Sequence, residues 1–482
     1  MLAASPAAGA VEPWLHAGLP AAAGEVAACL ATARTAATID DARLALDRAI
    51  AEIDALVGAQ LDAILHHERL KRLEGSWRGL AWLVAGQASG GPVRVKVLNA
   101  PWRDICRDLA LATEFDRSQM FRKVYEEEFG MPGGEPYGLL VVDHEVRHRP
   151  SSDAPTDDVS ALTALAGVAA AAFAPVVVAA SPALLQVDGF ADLAMAGELA
   201  DPFRSDEYAR WRGLSRHDDM RFVAVTLPRA LARAPWADDP ARLDGFRYAE
   251  TVTGPDDRVW MTAGLAFASV VARAFANFHW PADVRGAETD RLGGGLVMDL
   301  PTELFPTDPG WYRPSLDIAL SDGQERMLIA AGLMPLSMLP FGPQAVFAGV
   351  RTLHMPKRFA GPYEAPANAN ARFSTQLNSI LCISRFAHII KLLGRETVGS
   401  FQTAEEIELR LHGWLQKYVN PNLAASGEAR ARCPLAAAQV SVREKAGRPG
   451  TFVCTVHLQP HFQLDDVAAT FRMVTDFVTP GA

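Results

Sequence analysis

The sequence predicts a mixed α/β (α+β) fold built from more than one domain. Three observations predict it: an amphipathic helical stretch near the start, an uncharged Ala-rich run that Pro175 splits into helix and strand, and three strand-like runs near the end. A length of 482 residues leaves room for several domains with ample core.

Taken in order, residues 1–39 read as an Ala-rich flexible leader, interrupted by Pro6 and Pro13. Residues 40–88 form an N-terminal helical region. Asp40 or Asp41 is placed to cap a helix whose apolar positions Leu46, Ile50, Ile53, Val57, Leu61 and Ile64 recur every three or four residues, so one face requires a partner helix. The run 73–84 follows, then Gly90-Gly91-Pro92 as a break and Val93 to Leu98 as an alternating strand. Glu126 to Gly138 reads as an acidic, Gly/Pro-rich loop before the strand Leu139 to Val142.

Val159 to Val187 carries no charge over a span long enough for a bilayer. Alanine supplies much of its apolarity, Asp157, Asp158 and Asp188 flank it without Lys or Arg anchors, and Pro175 divides it. A buried helix from Val159 to Phe173 and a buried strand from Pro175 to Ala180 fit better, and no membrane insertion is expected.

Ser205 to Trp211 then reads as helix, Arg221 to Leu227 as strand and Trp260 to Phe278 as helix, with Pro281 to Pro314 irregular around Gly293-Gly294-Gly295. Pro/Gly breaks at 335–343 and 355–366 mark a boundary near residue 365, which separates a main α/β domain at 89–365 from a C-terminal domain at 366–482. That last domain starts with helices at Arg372 to Leu393 and Glu405 to Tyr418. It closes with strand-like runs at Ala438 to Glu444, Thr451 to Gln459 and Val467 to Asp476.

Composition narrows the function classes. Forty-six Lys and Arg against 56 Asp and Glu give a formal charge of −10, which argues against nucleic acid or an anionic membrane as main partner. Cys29, Cys106, Cys382, Cys433 and Cys454 are scattered without a CxxC pair, as in reduced cytoplasmic proteins. The start lacks the positive n-region of a secretory signal. At 21% charged residues, more surface is covered than in a monomer.

Catalytic patterns are sought and set aside. His144-Glu145-Val146-Arg147-His148 fits HExxH, which on a helix would put two imidazoles on one face of a zinc site; this is the alternative metalloenzyme reading. Its context is a strand end, with Pro150 two residues beyond. The triple glycine leads into an apolar run ending in Pro301 rather than into a helix, so it reads as a loop and not a phosphate cradle. Neither GxxxxGK[ST] nor GxSxG occurs. His66-His67-Glu68 reads as a solvated helix tip, His388 as a structural histidine, and His457 with His461 as a spacing without metal logic. No catalytic, cofactor-binding or metal-binding residue is expected, and no cofactor.

In the C-terminal run, Phe452, Cys454, Val456 and Leu458 share one face of a strand, while Val453, Thr455 and His457 share the other. Strands at a chain end leave edge groups that are either covered or used for pairing between subunits. By pattern alone, a sheet closed within the chain is the simpler case.

Several segments together resemble the large sheath subunit of the type VI secretion system, the TssC/VipB family: AQLDAILHHERLKRLEGSWRGLAWLV, FGMPGGEPYGLLVVD, EYARWRGLSRHDDMRFVAVTLPRALARAPW, GGGLVMDLP, SRFAHIIKLLGRETVGSF and CPLAAAQVSVREKAGRPGTFVCTVHLQPHFQL. They stand in family order from about residue 50 onward. The resemblance implies a bacterial, cytoplasmic, non-enzymatic sheath protein. It would pair with a small sheath subunit, TssB/VipA, stack with copies of itself as a helical tube around an Hcp inner tube on a baseplate, and contract to expel that tube. A phage-tail-like sheath protein is the related alternative.

The resemblance further implies that C-terminal strands join a sheet shared with small subunits of neighbouring protomers. By position these are Phe452, Val453, Cys454, Thr455, Val456, His457 and Leu458, with Thr470, Phe471, Arg472, Met473 and Val474. Ile50, Ile53, Val57 and Leu61 are the partner-helix candidates. In the family a ClpV ATPase recycles the sheath through an N-terminal helix, for which Val11 to Ala33 is the candidate here. The leader before about residue 40 and the segments VWMTAGLAF and PSLDIALSDGQERMLIAAGLMPL depart from the family pattern.

Overall fold

A computed structural model describes residues 24, 26–36, 38–87, 91–243, 245–287, 292–305, 307–339, 342–357, 359–360, 364–397, 403–422, 425–445, 451–461 and 471–478. The chain divides into two compact units, Met1–Gly75 with Leu231–Trp260, and Ser76–Ala230 with Met261–Ala482. Most of the leader, with much of Val11 to Ala33, lies outside the described residues, although residues 26–34 are helical.

In the first unit, helix α1 (Ile39–Leu65) is capped by Thr38, whose hydroxyl accepts the Asp41 amide at 3.1 Å; Asp40 and Asp41 sit inside the first turn, where their charge meets the positive helix end. The cap is therefore one turn earlier than the aspartates suggest. No residue of α1 is buried. Residues 245–251 run along it: the Tyr248 hydroxyl donates to Asp62 at 2.6 Å, and the Tyr248 ring lies beside Gly58. Helix α2 (Glu68–Ala85) follows, its residues up to Gly75 in this unit and those from Ser76 in the second.

In the second unit, strands β1 (Leu140–Val146), β2 (Val176–Ala180), β3 (Val223–Leu227) and β4 (Met334–Pro335) form a parallel sheet in the order β1-β2-β3-β4. β2 and β3 are buried along their whole length, which is why both read as unbroken apolar runs. Helix α3 (Trp102–Leu111) lies against α4 (Asp158–Ala172), the crossover from β1 to β2. Asp157 caps α4, and Phe173 ends it in a left-handed conformation at φ 50°. Helix α5 (Ala209–Ser215) precedes β3. Helix α6 (Ala263–Phe278) crosses the sheet where Gly264 stands: a Cβ there would lie 3.3 Å from Val141 and 3.4 Å from Val177. Helix α7 (Asp322–Ala330) leads to β4.

Helices α8 (Glu364–Phe373), α9 (Leu377–Thr397), α10 (Ala404–Gln416) and α11 (Gly427–Arg432) precede an antiparallel meander of β5 (Leu435–Glu444), β6 (Thr451–Pro460) and β7 (Phe471–Val478). Leu377–Arg395 is the one described helix long and apolar enough to span a bilayer, and most of it is buried in this unit.

Several expectations are corrected. Val93 to Leu98 contains no turn or bend but belongs to no sheet. The start of the expected acidic loop, residues 126–130, belongs to a π-helix that spans Arg122–Gly130. Its aromatic spacing explains this: Phe121 stacks on Tyr125 at 4.8 Å, and Tyr125 meets Phe129 edge-on at 5.5 Å. The supposedly irregular stretch 281–314 holds short strands at Leu296–Val297, Glu303–Phe305 and Asp308–Arg313. The single helix expected over 372–393 is two, because Gln376 leaves the helical path to bridge Arg351. Trp260 belongs to a two-residue strand, not to the helix after it.

Candidate assembly surface

The C-terminal meander is seated on its own hydrophobic cluster. Cys382, Phe386 and Ile390 of α9, Ile407, Leu411 and Leu415 of α10, and Trp280 pack against Leu435, Ala438 and Val442 of β5 and Cys454, Val456 and Leu458 of β6. Phe386 is fully buried and stacks on Trp280 at 4.2 Å. Large apolar side chains buried in this way stabilise by about 1.5–3 kcal/mol each. Burial pushes the Cys382 thiol up to about 12, and burial with the nearby Glu408 carboxylate does the same for Cys454, so both are inert core residues.

The alternation read from sequence holds for β6: Cys454, Val456 and Leu458 are buried, while Val453, Thr455 and His457 are half-buried. Phe452 packs against the cluster's edge. β6 is the central strand, paired over its length with β5 on one side and β7 on the other, so its main-chain groups are used within the chain.

The two outer edges differ. On β5 the Val442 amide donates to the Glu408 carboxylate at 2.8 Å, and the Gln416 amide reaches the Ala438 carbonyl at 3.5 Å. The main chain of Leu435 bonds Tyr418 and Asn420. Side chains of α10 and the segment after it thus close this edge.

These contacts also fix the direction of the ladder. If Val442 points away from β6, its register partner Cys454 points toward β7 and bonds Thr475. Arg472, Val474, Asp476 and Val478 then carry outward-facing N–H and C=O groups, while Phe471, Met473, Thr475 and Phe477 face β6. Among the described residues no strand pairs with that outer edge. Thr470 lies outside the described residues.

The partner-helix candidates lie on α1. Ile50 is 54% exposed and Val57 38%, while Ile53 and Leu61 are half-buried. A groove of about 590 Å³ runs along this helix, lined among others by Asp47, Ile50, Asp54, Gly58, Asp62 and Tyr248.

The HExxH residues do not gather. His144, Glu145 and Val146 are the end of β1. His144 stacks on Trp102 at 4.8 Å with its Nε2 3.3 Å from Asp158, whereas buried His148 stacks on Tyr208 at 4.0 Å with its Nε2 2.7 Å from Glu207. Strand geometry and separate carboxylate partners keep the two rings apart. Among the described residues no group of three or more His, Cys, Asp or Glu is placed to hold a metal. The triple glycine is an internal brace: Arg273 donates to the carbonyls of Gly294 and Leu296, and Asp283 accepts the Gly294 amide. His388 is buried, bonded to the Ala172 carbonyl at 2.9 Å, and burial lowers its pKa to about 4.

His66 is not a solvated tip. It lies 3.2 Å from Glu250 and 3.7 Å from Asp257. Glu250, with a side chain 1% exposed, also binds Arg233 at 2.5 Å and the Trp236 amide at 2.8 Å, and Glu74 takes the other side of Arg233 at 2.7 Å. Burial opposes the charge on Arg233, but bonds from Glu250 and Glu74 outweigh it and raise its pKa. This network escapes sequence reading because its members lie far apart in the chain, His66 and Glu250 by 184 residues.

Comparison with known proteins gives a consistent answer. A family model described as EvpB/VC_A0108, tail sheath N-terminal domain (VipB), matches residues 47–354, and its companion, tail sheath gpW/gp25-like domain (VipB_2), matches 366–477. The type VI secretion system sheath protein TssC1 of Pseudomonas aeruginosa is 34% identical over 449 residues, covering 92% of this chain and 88% of that protein. Among solved structures, a sheath tail protein of Desulfitobacterium hafniense aligns with 67% of this chain and 62% of its own at 9% identity and TM-score 0.30. The anti-feeding prophage baseplate aligns with 81% and 80% at 10% identity and TM-score 0.35. Scores this low decide nothing about the fold.

Proposed function

Since this chain belongs to the VipB tail sheath family, as a large sheath subunit of a type VI secretion system, we propose that it builds the sheath by lending the open edge of β7 to a strand of a neighbouring subunit. The observation that carries this is the asymmetry of the C-terminal sheet, whose β5 edge is closed by the chain itself while β7 offers outward N–H and C=O groups. Pairing by strand addition takes its affinity from main-chain hydrogen bonds and tolerates rotation of the bodies it connects.

In this reading the neighbour is the small sheath subunit (TssB/VipA). The assembled tube surrounds an Hcp inner tube, stands on a baseplate in the bacterial cytoplasm, and drives that tube out when it contracts. The apolar face of α1, with Ile50 and Val57 exposed and Ile53 and Leu61 half-buried, takes a helix of a partner chain. The role is structural rather than enzymatic, and ClpV acts on the contracted sheath through the N-terminal segment. Coexpression with the cognate small subunit, followed by negative-stain microscopy, tests the proposal. Tubes or rings support it; monodisperse globules alone refute it.

A further inference from the structure

Val93 to Leu98 has the alternating pattern of a strand and contains no turn or bend, yet it belongs to no sheet. Among the described residues, no backbone amide from Val93 to Asn99 donates to a backbone carbonyl; the first that does is Ala100, to Leu98 within the same turn. A strand-length segment with unused main-chain groups is a template for another strand.

The side chains divide by position. Arg94 and Lys96 are each held by a carboxylate of the same unit, Glu135 and Glu128, both at 2.5 Å, and Lys96 lies 5.4 Å from the Tyr137 ring. Glu128 is turned by that contact: its hydrogen bond with Lys96 is the largest influence and lowers its pKa, while the same bond raises that of Lys96. The alternate residues face water. Val95 is 41% exposed and Val97 59%, with Leu98 beyond them at 52%. Ion pairs thus anchor one side of this segment and leave the other apolar and uncharged.

We propose that Val93–Leu98 is a second strand-acceptor site, distinct from β7, which takes an extended, largely uncharged strand with apolar residues at alternate positions from a chain of different sequence. Charge favours this occupant: both basic side chains are already paired at the surface with carboxylates of the same unit, so an acidic peptide gains little here, whereas alternating apolar residues cover Val95 and Val97. The chain's own described strands of four residues or more are all paired within their own unit, so among the described residues a second copy has no detached strand to lend other than this same segment. Only the donor's identity rests on the sheath reading, in which it belongs to the small sheath subunit.

Hydrogen exchange by mass spectrometry on the full-length chain, alone and in the purified assembly with the small sheath subunit, tests this. The amides of Val93 to Asn99 should exchange at near-coil rates alone and at least about tenfold more slowly in the assembly. Val97→Pro removes one N–H and blocks close approach, and should reduce recovered assembly at least fivefold; Val97→Thr keeps the amide and should assemble normally. The segment's main chain makes no internal ladder, so both variants should give free chains with unchanged circular dichroism.

An assembly that forms with residues 93–99 still unprotected, or that tolerates Val97→Pro, overturns this inference and leaves the sheath reading intact. Protection of the chain alone that rises with its concentration, reporting antiparallel self-pairing, overturns the choice of donor. Failure to assemble at all overturns both.

Discussion

Replacing Val474 by proline separates assembly from folding, because the register makes its amide point outward while that of Met473 points toward β6. If β7 accepts a strand, Arg472, Val474, Asp476 and Val478 each exchange hydrogen bonds with it, at about 0.5–1.5 kcal/mol per bond. Val474→Pro deletes one donor and leaves a carbonyl of the incoming strand unsatisfied, at about 1–3 kcal/mol, which is roughly 5- to 150-fold in affinity. Its ring also obstructs a neighbour that must come within about 4.8 Å. The free chain should barely notice, since proline is tolerated where an edge N–H faces solvent.

Met473→Pro is the converse. It removes a ladder bond to Val456 and should destabilise the C-terminal unit by about 1–3 kcal/mol. Coexpression with the small subunit, sedimentation of assembled material and urea unfolding of the free chain read both effects. Unimpaired tubes from Val474→Pro, with free-chain stability equal to that of Met473→Pro, would refute both the deduced ladder direction and the open-edge role. This is sharper than truncation after Gly450, which also removes Cys454, Val456 and Leu458 from the core and exposes α9 and α10.

Glu250→Ala should destabilise its unit by about 3–5 kcal/mol in chemical unfolding, because Arg233 stays buried with only Glu74 beside it. His388, held neutral with a pKa lowered to about 4, contributes stability that is complete above its unfolded value near 6.5. That contribution is lost as pH falls from there toward 4, by up to about 3 kcal/mol, because the unfolded chain takes the proton first. His388→Gln should flatten that part of a pH–stability curve. His148→Ala should leave metal content unchanged by elemental analysis while lowering the melting temperature, since the ring packs on Tyr208 and binds Glu207; stoichiometric zinc lost on this substitution would restore the metalloenzyme reading.

What the sequence discloses follows how local the physics is. α4 and β2 are legible because an apolar run, a capping aspartate and a proline all lie within one stretch. The alternating faces of β6 are legible because pleating alone sets them. Which strand is central and which is an edge depends on Glu408 and Gln416 reaching across from α10, and no periodicity encodes that. The π-helix at 122–130 is hidden because Gly130, Gly133 and Gly134 dominate the local composition while the aromatics that stabilise it are spaced four apart. Val93 to Leu98 shows the opposite failure: its pattern is that of a strand, and pattern says nothing about whether a neighbour exists inside the chain.

The closed β5 edge sets a stoichiometry. A sheet able to grow on both sides can propagate without limit, as cross-β fibres do. Here Glu408, Gln416 and the main chain at 418–420 occupy one side, so if β7 accepts a strand, each C-terminal sheet takes only that one and growth stops. One donor per acceptor gives a polymer in which every link has a direction and none can be skipped. Breaking Glu408 away from Val442, for example by Glu408→Ala, would remove that brake and turn an ordered lattice into a substrate for aggregation.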